Sequence, residues 1–340
     1  MTLHACTFLG NIIRISLFYC LLIPCFNLNA ASSWHPINDN IQFIKQPDKL
    51  RFYDSNQVLI EGDKCALLYD AGGNFAQVEH LAKALKARLN TPLCYLVASN
   101  GDNEHLLGMA VLQHAFPDAK LIVHENLALL FEQYQNAYND KLEGFKKSIE
   151  LSLHRITNLE KDQQLHWEKK LALAKTRLIR WQDYQLQVPQ ITIAKTTTIN
   201  LGQFNVVISP HSAYSKGDLT LSTNNGSILI GSDIVNWLPY LSQGNLKQWE
   251  KLLLTYGQQP QLTTIIPGHG NLLTPSQLQQ PRLFLSEIIA HTAKNPNSSI
   301  EQLKLSFPAD IMKPYQADIL DKKNSALFLQ TGLLRALKTK

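Results

Sequence analysis

Side chains able to bind a metal or move protons cluster in one loop and recur at three later strand ends in this 340-residue chain. The loop is Ser99-Asn100-Gly101-Asp102-Asn103-Glu104-His105, and the later residues are His211, Asp233 and His269. Imidazoles and carboxylates are zinc ligands, and a carboxylate close to a reacting water can serve as its general base. Asp102 and Glu104 are the candidates for that catalytic part. His269 stands between Gly268 and Gly270 after an apolar run, and such glycines point to close backbone approach. The first loop also has a plainer reading, in which Asp102 or Asn103 caps a helix that begins near Glu104. Other histidines read as structural: His124 ends a strand, while His154 and His166 sit among charged helical neighbours. No serine lies in a nucleophile-elbow pattern, and no phosphate-binding glycine loop or zinc-finger cysteine pair occurs.

The elements that must position these groups follow from hydrophobic spacing. Cys65 to Tyr69 is an apolar strand ending in Asp70-Ala71-Gly72-Gly73. Val78, Leu81, Ala82, Leu85 and Leu89 then share one helical face between Phe75 and Leu89. Leu93 to Ala98 is a second strand, with the reactive loop at its C-terminal end, where strand-helix-strand units bind ligands. Further on, Ile191 to Ile199, Phe204 to Ser209 and Leu219 to Ser222 read as strands. An asparagine-glycine turn at Asn225-Gly226 leads into the strand that delivers Asp233. Thr263 to Pro267 delivers His269, so four strand ends offer polar groups to one edge.

Pro267-Gly268-His269-Gly270, Gly231-Ser232-Asp233 and Asp70-Ala71-Gly72, in that order along the chain, resemble the metallo-β-lactamase superfamily. The resemblance runs from about Ile41 to Leu273. It implies an α/β fold, a four-layer αβ/βα sandwich that holds one or two zinc ions at the sheet edge. Asn100 and Asp102 match the first two motif histidines, Glu104 the aspartate and His105 the third histidine. Asp233 matches the carboxylate shared by the two metals, and His269 the last histidine. The remaining ligand position falls on Tyr214 by counting back from Gly217-Asp218, or on His211 if the loop is longer; His211 is preferred. The first metal site is eroded, since an asparagine amide is a poor zinc ligand. The second has His105, Asp233 and His269, with Glu104 in place of the aspartate, so at most one metal ion is expected, zinc, with iron or none the alternatives. The chemistry implied is hydrolysis of an ester, thioester, lactone or amide by metal-activated water. The alternative is a non-catalytic descendant kept as a binding or accessory module. Trp237 and Tyr240, just past Asp233, are substrate-contact candidates.

Composition bounds the rest. Residues 1–30 have the shape of a signal peptide, an apolar segment Ile12 to Phe26 leading to Asn29-Ala30-Ala31, and imply a periplasmic or secreted protein. Residues 31–340 form one domain, with a helical insertion over 127–187 and a C-terminal helical extension over 275–340. There, Ser298 and Glu301 have capping-box spacing. A formal charge of +5 from scattered basic residues offers nothing to nucleic acid. The partner expected is a small-molecule substrate, with no stable membrane insertion after cleavage. Cys65 and Cys94 fall on strands that the resemblance sets side by side; buried thiols are expected there, with a disulfide the alternative.

Overall fold

The computed structural model describes residues 32–223 and 225–338, which fall into two compact units. The expected signal peptide lies outside the described residues. The smaller unit, 135–185, contains most of two long helices, Phe131–Ile156 and Lys161–Gln182. Inside it, the Tyr138 hydroxyl donates to the Trp181 carbonyl at 2.8 Å.

The larger unit is built on two sheets. The first runs in spatial order through β1 (Ser33–Pro36), β2 (Ile41–Lys45), β3 (Gln57–Glu61), β4 (Ala66–Tyr69), β5 (Leu93–Val97), β6 (Lys120–His124) and β7 (Ile191–Ile193). The second has the order β12 (Thr264–Pro267), β11 (Ile228–Ser232), β10 (Asp218–Thr223), β9 (Asn205–His211), β8 (Thr197–Asn200). The expected strand Ile191 to Ile199 is therefore two strands, with the chain crossing between sheets at residues 194–196. Periodicity cannot show such a change of sheet, because the alternation of side chains continues through it.

Alternation assigns each strand residue to a face. Ile228 and Ile230 of β11 join Val58, Ile60, Leu67, Val97 and Leu219 in the core between the sheets. Leu229, between them, faces the other way, into a core with Trp249, Leu253, Phe284, Ile288 and Leu333. Those residues come from the helices Leu246–Gly257, Gln279–Lys294 and Ile319–Lys338. No described helix is long and apolar enough to cross a membrane.

Two parallel strand-helix-strand units, one in each sheet, lead to these groups: β4 to β5 through the helix Phe75–Arg88, and β11 to β12 through Leu246–Gly257. Parallel pairing places both C-terminal strand ends at the same edge. The loop after β5, Asp233 and His269 thus come from two such units, whereas His211 ends β9, which pairs antiparallel with its neighbours.

Two expectations are corrected here. Cys65 and Cys94 form a disulfide, with Cα atoms 5.6 Å apart. Both are half-exposed, at the edge of the β4–β5 pair, so neither is the buried thiol expected. The capping box uses Ser299 and Gln302, one residue beyond Ser298 and Glu301, because the helix begins at Ile300. Gln302 Nitrogen donates to Ser299 Oγ and the Gln302 side chain accepts from the Ser299 N–H.

Candidate active site

Asp70 follows β4 with φ of 62°, a left-handed turn that aspartate tolerates better than most residues. Its carboxylate is fully buried and accepts from the Ser99 N–H at 2.8 Å and the Ser232 hydroxyl at 3.0 Å. It also holds His105 Nδ1 at 2.8 Å. With Nδ1 engaged, the free face of the His105 ring is Nε2, which lies 3.0 Å from Asp233 Oδ2. That contact is short but not aligned as a hydrogen bond.

Asp233 leaves β11 through Ser232, whose φ of 46° and the register shift after Ile230 turn the chain abruptly. Trp249 secures the turn, its indole N–H donating to the Ile234 carbonyl at 2.7 Å. Asp233 Oδ1 lies 3.1 Å from His269 Nε2 and accepts from Asn236 Nδ2 at 2.9 Å. The same Asn236 accepts the His269 N–H at 3.0 Å, so one side chain fixes both groups. Asn56 anchors the far side of the loop through the Pro267 and Gly270 carbonyls, each at 3.1 Å. Gly268 is required: a Cβ there would come within 2.7 Å of Asp233 Oδ1. The close approach expected around His269 is therefore to the carboxylate itself.

Burial would lower the pKa of His105, but Asp233 and Asp70 raise it well above the ordinary histidine value. His269 is likewise raised by Asp233 against burial. Burial would raise Asp233, yet the two imidazoles hold it well below the usual carboxylate range. Glu104 completes the group: ligand atoms of Glu104, His105 and His269 all lie within 4.8 Å of one another.

The metallo-beta-lactamase superfamily matches residues 50–269. The chain belongs to that superfamily. Among solved structures, a metallo-beta-lactamase from Pontibacter korlensis aligns with a TM-score of 0.53 at 16% identity, over 75% of this chain and 99% of its own. The mono-zinc form of FIM-1 from Pseudomonas aeruginosa gives 0.51 at 12% identity, over 75% of this chain and 95% of that one. The sec-alkylsulfatase Pisa1 from Pseudomonas sp. gives 0.58 at 12% identity, over 91% of this chain and 51% of its own. No curated protein matches.

The superfamily is built around metal, and the two metal positions fare differently in this member. At the second, Glu104, His105, Asp233 and His269 supply zinc-competent donors. His105 is oriented by a carboxylate on its other ring nitrogen, the usual support of a ligating histidine. Glu104, His105 and His269 fit one metal ion there, with Asp233 beside both imidazoles. At the first, Asn100 does not offer an imidazole. Its amide donates to Asp233 Oδ2 at 3.0 Å, while its Oδ1 accepts the Asp102 N–H at 2.9 Å. Asp102 occupies the helix N-cap position of Asn103–Leu106, but its side chain makes no cap bond. The carboxylate instead accepts from the Tyr214 hydroxyl and from Gln243 Nε2 at 3.0 Å. A closed hydrogen-bonded network stands where the first metal would sit, and these residues do not fit one.

The preference for His211 as a ligand is corrected. The metal-competent group does not include it, and Tyr214 is the residue that reaches Asp102. His211 closes β9 opposite Asp218, with Nε2 2.9 Å from Thr220 Oγ1 and 3.0 Å from the Tyr256 hydroxyl. Burial and the nearby His124 lower its pKa to about 4, so it stays neutral.

His269 also lines a cavity of about 340 Å³ together with Trp237, Leu238, Phe52 and Asn236. Tyr240 does not line it and packs on Phe328, ring centroids 4.7 Å apart. Sequence reasoning missed Asn236, Ser232, Gln243 and Asn56. Only Asn236 gave a signal, an amide three residues after the strand-end aspartate.

Proposed function

We propose that this protein is an exported hydrolase holding a single divalent metal, zinc by donor chemistry, on Glu104, His105, Asp233 and His269. The observation that carries it is the pair of imidazole Nε2 atoms, 3.0 and 3.1 Å from the two oxygens of one buried carboxylate. A metal held there supplies Lewis acidity and makes water a nucleophile near neutral pH. Glu104 serves as a ligand, leaving Asp102 as the general base. Its Oδ2 accepts from the buried Tyr214 hydroxyl, and Gln243 keeps the carboxylate in place. Trp237 contributes a wall of the substrate cavity. The substrate class is a small ester, thioester, lactone or amide. The Cys65–Cys94 disulfide supports residence in an oxidising compartment, as the signal-like N-terminus does.

A second reading has its own support. Asp233 already meets Asn100, Asn236, His105 and His269, so its carboxylate has partners without metal. Under that reading the protein is a non-catalytic binding or accessory module. Elemental analysis of mature protein purified without chelator separates the two. About one zinc per chain, lost in His269→Ala and in Glu104→Ala, is the expected result. No metal after supplementation leaves the binding module, and two ions per chain overturn the single-metal site.

A further inference from the structure

The cavity beside His269 has a charge pattern that metal binding does not use. Trp237, Leu238 and Phe52 give it apolar surface, and Arg51, Asp318 and Asp321 stand among its polar residues. The arginine is already committed. Its guanidinium donates to the Asp48 carbonyl at 3.1 Å, to Asp318 Oδ1 at 2.5 Å and to Asp321 Oδ1 at 2.8 Å. One cation between two carboxylates leaves a negative charge in excess. Asp48, the third aspartate of the lining, has its own partner in Lys45 at 2.8 Å, and Lys45 does not line the cavity. Even counting His269, the lining carboxylates Asp48, Asp318 and Asp321 outnumber the lining cations.

The apolar wall adds a second, independent preference. Trp237 is braced edge-on by Tyr315, ring centroids 5.7 Å apart, and an indole face attracts cations as well as apolar groups. Phe52 is held edge-on by Phe328 at 5.9 Å.

We propose that this cavity binds the substrate through an ammonium or guanidinium group carried on an apolar or aromatic body, with Asp318 and Asp321 reading the charge and Trp237 the body. That the labile bond then points to the His269 end rests on the metal-site reading; the charge selection does not.

The test is a titration of the mature full chain, labelled at the tryptophan indoles with ¹⁵N. The probes are 2-phenylethylammonium, 2-phenylethanol and 3-phenylpropanoate, and the Trp237 signal is assigned through Trp237→Phe. The ammonium probe is expected to bind about fivefold tighter than either counterpart, the size that one exposed ion pair and one cation–aromatic contact provide. It should move the Trp237 signal, and its advantage should shrink to under about twofold in Asp318→Asn, whose side chain is 53% exposed and not needed for the core. Asp321→Asn provides the same readout independently. Equal or tighter binding of the alcohol or the carboxylate, binding that leaves Trp237 unmoved, or no binding of any probe overturns the proposal. Metal content measured on the same samples keeps the two readings apart: charge preference without metal removes only the hydrolase, and metal without charge preference removes only the subsite.

Discussion

Asp70 is the residue on which the geometry turns. It is buried without a cationic partner other than His105, and it accepts one backbone N–H and two side chains. That arrangement fixes which nitrogen of His105 faces Asp233, an effect that no reading of residue types alone supplies. The strand-end aspartate and histidines were legible because strand periodicity and flanking glycines mark them. Tyr214 and His211 were not separable, since a one-turn difference in loop length is invisible to spacing. His211 offers its own measurable consequence. Its pKa falls from the ordinary value of 6.5 to about 4 in the fold because burial disfavours the charged ring. The unfolded chain therefore binds the proton first, and stability contributed by neutral His211 is lost as pH drops from about 6.5 to about 4. Asp218 opposes it: burial raises its pKa to about 6, so its contribution declines as pH rises between about 4 and 6. Comparing His211→Gln with the parent by denaturant unfolding isolates the first effect. The parent should lose about 2 kcal/mol relative to the variant between pH 7 and pH 4.5, and a constant difference would show that the ring is not kept neutral.

Among the elements, the two parallel strand-helix-strand units do the positioning, and the disulfide ties one of them at the end away from the reactive loop. It joins the residue before β4 to the second residue of β5, with a separation of 29 residues. Closing a loop of that length constrains the unfolded chain by about 3–4 kcal/mol. Cys65→Ser with Cys94→Ser should lower unfolding stability by roughly 2–4 kcal/mol while leaving metal content at the parent level. A loss of metal in that variant would mean that the strand ends are not held independently by Asp70 and its partners. These strands were plain in the sequence, as was the helix between them. The division of 191–199 between two sheets was not, because tertiary crossing leaves no mark on alternation.

For the whole molecule, the proposed metal position is a seam. Asp70, Glu104 and His105 follow strands of the first sheet, whereas Asp233 and His269 follow strands of the second. Anything bound to both halves stabilises the folded state by mass action, about 2.7 kcal/mol at a hundredfold excess over Kd. In a protein of this size that corresponds to a rise of about 4 °C in Tm on adding zinc to chelator-treated protein, absent in His269→Ala. An unchanged Tm in the parent would count against a shared site. The two-sheet architecture and the erosion of the first metal site were both implied by the resemblance to the superfamily. What replaced that metal could not be read there, because Tyr214 and Gln243 are distant in sequence from Asp102, the group they hold. The seam also sets a schedule for synthesis. Glu104 and His105 emerge from the ribosome well over a hundred residues before Asp233 and His269, so a growing chain carries half a binding site and cannot discriminate between metals. Selection among ions at the proposed site would be deferred until the last strand docks, and the medium in which that docking happens, rather than the one in which translation happens, would decide which ion enters it.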